Sequence, residues 1–308
     1  MYKRQEYSYD KLCIATGSSP IVPNIPGAHA QGVYSFHSSA DAHKLTALCS
    51  TLKSPRVVVV GAGLTGLECA DALQKRGAQV TVIELREHVL AHFITPQAAM
   101  IVEQAMQSRD ITFIAGQRVV SVLVHENNAT GVLLSNGQTI TADAVVFAVG
   151  VRPNTQLAKE AGLMLQGYGL QVNNYLQTSN EHIYAAGDVI TITELLTQTS
   201  ILSCTWPDAM LQGITAAHAM AGMPKPYQGA ALILSTAFFG LKLSVSYGAN
   251  AIKTTQEVIK QDDERYAHLK IENNLLKSFL IVGNTSCAPT LKRMMLLQES
   301  VDKSNVLD

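Results

Sequence analysis

Cysteine is scarce and scattered in this chain of 308 residues: Cys13, Cys49, Cys69, Cys204 and Cys287, with no two closer than 20 positions. Without a Cys-x-x-Cys or similar cluster there is no zinc-ligand spacing, and an odd, dispersed count is not a disulfide framework. Five reduced thiols packed in the core of a cytoplasmic protein is the expectation. Charge is also sparse. Charged residues make up 15%, and 23 basic against 24 acidic residues leave a net charge of −1, which disfavours a nucleic-acid binder. No long apolar run exists: residues 230–241 form a stretch of 12, broken by Ser235 and Thr236, whereas a bilayer span needs about 20. The start, Met-Tyr-Lys-Arg-Gln-Glu-Tyr, turns polar at once, with no signal-peptide core. What is abundant is hydrophobic side chain, 47%, enough for a large buried core and too much for disorder. The length suits two ordinary domains and a smaller third.

The clearest stretch is Pro55-Arg-Val-Val-Val-Val-Gly-Ala-Gly-Leu-Thr-Gly-Leu-Glu68. Four valines, 57–60, read as a strand buried on both faces. Apolar residues at 64, 67, 70 and 73 then follow helical spacing to about residue 76, with Gly77 placed to stop the helix. Residues 79–83 alternate into a second strand that ends at Glu84. Strand, helix and strand make one βαβ unit, and its connection is a Gly61-x-Gly63-x-x-Gly66 motif. Gly61 permits the tight turn, Gly63 lets a pyrophosphate approach the backbone, and Gly66 lets helix and strand pack closely. Leu64 and Thr65 open the helix, whose free N–H groups and dipole favour the phosphates. Glu84, 23 positions after Gly61, is placed to accept from ribose hydroxyls and to repel a 2′-phosphate, so NADH is preferred over NADPH.

Further along, Thr95-Pro96 opens a helix to about residue 107, and 111–115 is a short strand. Residues 118–125, 131–135 and 138–142 alternate, with Asn136-Gly137 as a tight turn, and 144–149 is an apolar strand stopping at Gly150. Before this module lie a strand at 12–15 and a proline-punctuated linker, 20–27. After it come a strand at 182–186, a helix at 208–221, strands at 241–247, 266–272 and 276–282, and a closing helix at 289–298.

Three other segments carry a resemblance. Tyr9-Asp-Lys-Leu-Cys-Ile-Ala-Thr-Gly-Ser-Ser-Pro20 resembles the Ala-Thr-Gly strand-and-turn of the FAD-dependent pyridine nucleotide-disulfide oxidoreductase superfamily. Asp143-Ala-Val-Val-Phe-Ala-Val-Gly-Val-Arg-Pro-Asn154 resembles the family's second such turn, and Thr178-Ser-Asn-Glu-His-Ile-Tyr-Ala-Ala-Gly-Asp-Val189 its third signature, which closes on FAD. The resemblance implies an α/β fold: a Rossmann-like NAD domain, 37–150, inserted in an incomplete FAD-binding domain, 1–36 and 151–226, with a small α+β C-terminal domain, 227–308. It implies FAD contacts at Thr16, Gly17, Gly187 and Asp188, and at Trp206, which opens a helix near the isoalloxazine. NAD contacts are implied at Glu68, close to the nicotinamide, and at Gly150, besides the glycine motif, Leu64, Thr65 and Glu84.

The family's own first βαβ unit, with the glycine loop for the FAD diphosphate, has no counterpart before residue 15, so the chain resembles an N-terminally truncated member with a weakened hold on FAD. Residues 37–150 lack the Cys-x-x-Cys of low-molecular-weight thioredoxin reductases, and 227–308 lack the His-Pro of glutathione and lipoamide reductases. The end of the chain, with Phe239-Gly-Leu-Lys-Leu-Ser-Val-Ser-Tyr-Gly248, is similar to NADH–rubredoxin reductases and nitrite reductase large subunits. A flavoprotein that passes hydride from NADH to FAD, and electrons on to a redox protein, a linked redox domain or a small acceptor, is the expectation. The alternatives are a coenzyme A disulfide reductase or NADH oxidase with its cysteine upstream, and a non-enzymatic NAD-binding module. No metal ligands and no catalytic acid or base are expected. The apolar stretch 230–248 is either core or the face of a homodimer.

Overall fold

The computed structural model describes residues 5–246, 254, 256–262 and 265–301. The chain divides into two compact units, one of Met1–Ser19 with Val151–Leu232 and one of Pro20–Gly150 with Ile233–Asp308.

In the second unit a five-stranded parallel sheet has the spatial order Val33–Ser35, Ala144–Phe147, Arg56–Val60, Gln79–Ile83, Thr112–Ile114. Parallel strands need long crossover connections, most often helices. Helix Leu64–Gln74 connects the two strands of the glycine motif, and Pro96–Gln107 leads to the edge strand. Thr95 caps the latter through its hydroxyl, which accepts the Ala98 N–H. Val57 and Val59 pack with Leu67, Ala70 and Val102 on the helical side, while Val58 and Val145 pack on the other with Val122 and Val132 of a three-stranded antiparallel sheet. Strands buried on both faces explain why these segments read as unbroken apolar runs.

The same unit contains a five-stranded antiparallel sheet, in the order Ile233–Phe238, Leu241–Ser246, Leu275–Gly283, Arg265–Glu272, Gln256–Gln261, followed by helix Ala288–Leu297. The apolar stretch expected as core or dimer face supplies its first hairpin. Phe238, Leu243 and Val245 are buried in the cluster that holds Leu67 and Ala70. Tyr247 and Gly248, the end of that stretch, lie outside the described residues.

Helix Ser39–Thr51 was not expected from the sequence. Its start is a capping box, Ser38 with Asp41, and Leu45 is its single fully buried residue, with Leu48 and Cys49 only partly buried beside it, so its apolar stripe is short and weak. Strand Val33–Ser35 was missed too, being three residues on the sheet edge.

The first unit has a parallel pair, Leu12–Ile14 with Ile183–Ala185, and a four-stranded mixed sheet of short strands between residues 165 and 201. Helix Trp206–Met220 packs against the pair. Among the described residues no helix is long and apolar enough to cross a membrane.

Candidate functional site

The three motif glycines of the second unit have different neighbours. Gly61 ends the central strand at φ +105, and a Cβ there would sit 2.5 Å from the Ala148 carbonyl oxygen. Gly66 faces the Gly61 carbonyl oxygen so closely that a Cβ would collide with it. Both are therefore required by protein atoms: one for the turn, the other so that helix Leu64–Gln74 can lie on the strand end. Gly63 is different. It is the helix N-cap in extended conformation, and a Cβ on it would meet nothing within 4 Å. Protein packing does not require glycine there, and the backbone at this position faces open space. The helix also starts with no side-chain cap, so the N–H groups of its first turn, at Leu64 and Thr65, are available to an anion.

Glu84 lies beside this turn. Its Oε2 accepts the Ala62 N–H at 2.7 Å and its Oε1 the Arg86 N–H at 2.9 Å. Two backbone donors orient the carboxylate, and an ionised carboxylate with about four acceptor positions keeps capacity for a diol. Gly150 follows the neighbouring strand Ala144–Phe147, and its carbonyl accepts the Ile21 N–H. Glu68 occupies the second turn of the helix, where its Oε1 accepts the Thr236 hydroxyl at 2.5 Å. These positions fit a dinucleotide: an open glycine, an uncapped helix start and a fixed carboxylate at the carboxyl ends of parallel strands.

The first unit gathers the remaining candidates. The parallel pairing of Leu12–Ile14 with Ile183–Ala185 brings the turns Thr16-Gly17 and Gly187-Asp188 to the same end of the pair. Gly17 is left-handed, at φ +66, and its turn is tied to Asn154: the Thr16 hydroxyl donates to the Asn154 carbonyl, Asn154 Nδ2 to the Thr16 carbonyl, and the Asn154 N–H to Gly17. Ser18 donates its hydroxyl to Asp188 Oδ2 at 2.7 Å. The Gly187 N–H donates to Oε1 of Gln212, a fully buried residue of helix Trp206–Met220. Tyr227, near the Gln212 amide at 3.4 Å, is pushed by burial up to about 12. Burial and then the charge of Asp188 push the Cys204 thiol up to about 11.

Trp206, the one tryptophan, is the first residue of that helix and is 76% exposed. A lone tryptophan is more often core, and its exposure here leaves a large aromatic surface at a helix N-terminus without protein cover. Asp188, oriented by the Ser18 hydroxyl, follows the left-handed Gly187, and these features fit the polyhydroxyl chain of a flavin. Asn154, Ser18, Gln212 and Thr236 were not singled out from the sequence. Two lie inside quoted motifs, but their roles depend on pairing across many residues, which spacing does not reveal. No group of three metal-ligating side chains is found among the described residues.

A model of the pyridine nucleotide-disulphide oxidoreductase family matches residues 2–221. The NADH-dependent phenylglyoxylate dehydrogenase subunit epsilon of Aromatoleum evansii is 34% identical over 261 residues, 83% of this chain and 60% of that protein. The rubredoxin-NAD(+) reductase of Pseudomonas putida is 32% identical over 222 residues, 72% of this chain and 57% of that protein. Among solved structures, the NAD-dependent persulfide reductase from A. fulgidus superposes with a TM-score of 0.89 at 27% identity, over 96% of this chain and 58% of that one. The chain thus spans about three fifths of the length of these relatives. It belongs to the pyridine nucleotide-disulphide oxidoreductase family.

Proposed function

From this membership we propose that the protein is a FAD-dependent NADH oxidoreductase that delivers electrons to a redox protein or a linked redox domain. Gly63 carries the reading: it is the one motif glycine whose identity no protein contact demands, and it stands at an uncapped helix start beside an oriented carboxylate. Bound cofactors would supply the hydride chemistry, dihydronicotinamide as donor and flavin as acceptor. The chain's task is placement. The N–H groups of Gly63, Leu64 and Thr65 receive the diphosphate, Gly61 and Gly66 hold the turn, and Glu84 takes the ribose hydroxyls. Gly150 and Glu68 serve the nicotinamide half. Thr16, Gly17, Gly187 and Asp188 hold the flavin, and the helix that starts at Trp206 directs its positive end toward charge on the reduced ring.

In domain terms, residues 1–19 and 151–226 serve FAD, 37–150 serve NAD together with the edge strand Val33–Ser35, which the sequence groups with the FAD part, and 227–308 form a C-terminal α+β domain. A redox-protein acceptor is favoured because the Pseudomonas putida relative is named for rubredoxin. The persulfide reductase likeness keeps a sulfur-based acceptor as the second reading. Five unpaired cysteines suit a reducing cytoplasm, with a second copy of the chain as an assembly partner.

Two titrations of the purified chain test this. Calorimetry should show NADH binding with NADPH weaker by about tenfold, because Glu84 faces the extra phosphate. FAD should quench the fluorescence of Trp206. A chain that binds neither nucleotide overturns the reading, and one that binds NADH without FAD leaves only a nucleotide-binding module.

A further inference from the structure

Helix Leu64–Gln74 carries two carboxylates on the side that meets the antiparallel sheet of its own unit. Glu68 Oε1 accepts the Thr236 hydroxyl at 2.5 Å. One turn on, Asp71 Oδ1 accepts the Phe239 N–H at 3.0 Å, and Asp71 Oδ2 pairs with Lys75 at 2.6 Å. Asp71 is buried, and Phe238 and Phe239 lie in the same core cluster as Leu67 and Ala70. Both acids of the helix are therefore held by groups outside its first turn.

That matters because of what the first turn offers. Glu68 lies five residues beyond the N-cap Gly63, about 7.5 Å along the axis at 1.5 Å per residue. Side chains of a helix lean toward its N-terminus, so an unrestrained Glu68 carboxylate leans toward the exposed N–H groups and the positive end of the dipole. An anionic ligand at Gly63 uses the same groups, and two like charges at that separation repel.

We infer that Thr236 is a positioning residue for the nucleotide site: its hydroxyl fixes the Glu68 carboxylate on the antiparallel sheet and keeps that charge off the anion-binding start of the helix. The inference rests on the dinucleotide reading above and assigns a part in it to the C-terminal sheet. Asp71 shows the same arrangement one turn later, fully engaged by Phe239 and Lys75.

The test is calorimetric binding of ADP-ribose to the whole chain, since this ligand has the diphosphate and lacks nicotinamide. Thr236→Val removes the donor and keeps the shape. Its affinity should fall about threefold at low salt, and the deficit should shrink at high salt as the repulsion is screened. Thr236→Ser keeps the hydroxyl and should bind as the parent does. Glu68→Gln should bind at least as well as the parent, and Thr236→Val made in that background should cost nothing further. A deficit that persists at high salt or in the Glu68→Gln background overturns the inference in favour of plain packing, and so does no deficit at all. If Thr236→Val does not fold, Glu68→Gln still decides, because a loss of ADP-ribose affinity there contradicts a repulsive carboxylate. A parent chain that binds no ADP-ribose overturns the dinucleotide reading itself, an outcome distinct from binding that ignores Thr236.

Discussion

Gly66 is seated against the carbonyl oxygen of Gly61, five residues earlier, with no room for a Cβ between them. The obstructing atom is backbone, so it has no flexible end to move aside. Gly66→Ala should therefore cost about 2–3 kcal/mol as an overpacked site, and thermal unfolding should show a clear drop in Tm. Gly63→Ala is the contrast. With φ −75 and open space around the added methyl group, its stability should change by well under about 1 kcal/mol, while ADP-ribose affinity should fall about tenfold or more. If Gly63→Ala binds normally, the phosphates lie elsewhere.

Glu84 links two jobs. It accepts the Ala62 N–H inside the glycine turn and, in the proposed function, the ribose hydroxyls. Glu84→Ser shortens the side chain and removes the charge, leaving the Ala62 donor to solvent. NADH affinity should fall about tenfold while NADPH affinity holds or rises, narrowing the preference between them. Paired titrations of parent and variant with both nucleotides check this. An unchanged NADH to NADPH ratio would place the ribose away from Glu84.

Much of the glycine-motif unit is legible in the sequence. Residues 57–60, the helix from Leu64 and the turn at Asn136-Gly137 stand where the sequence put them, because each has a strong local signature: a β-branched run, helical spacing, or a turn with Gly137 at φ +85. Helix Ser39–Thr51 escaped because its apolar stripe is brief, with Leu45 buried and Leu48 and Cys49 only partly so. Thr236 escaped for another reason. Its partner Glu68 is 168 positions away, and nothing in a β-strand threonine announces a carboxylate across a sheet–helix contact. Trp206, which the resemblance places at a helix start, is the first residue of helix Trp206–Met220 and is exposed.

Thiol chemistry offers a separate check. Burial, with a further push from Cys49, puts the Cys69 thiol up to about 12, and Cys204 stands at about 11. At pH 8 the thiolate fraction of Cys204 is about one in a thousand, so both residues should be the slowest of the five to react with an alkylating reagent in the folded chain. Mass spectrometry of a timed labelling series reads this directly. Rapid labelling of Cys204 at neutral pH would point instead to an activated thiol next to the Gly187-Asp188 turn, and would favour the sulfur-based acceptor.

At the opposite end of the parallel sheet from the glycine turn, Asp143 receives three donors from one residue. Arg56 reaches it through Nη2 at 2.7 Å, Nε at 3.2 Å and its own backbone N–H at 2.8 Å. These bonds, the Arg56 side chain first, hold the Asp143 carboxyl below its ordinary value. The sign follows from linkage: a carboxyl whose folded value is depressed adds stability above its unfolded value near pH 4, and that stability is lost as pH falls through the folded value. Both side chains are partly exposed, at 48% and 32%, so solvent screening keeps the pair's contribution on the order of 1 kcal/mol. Asp143→Asn should lower stability by about that amount at pH 7 and by progressively less below pH 4, where parent and variant converge. Denaturant unfolding across the acid range measures it. A gap that stays constant with pH would show that Asp143 stabilises the strand ends through shape and neutral hydrogen bonds rather than through its charge.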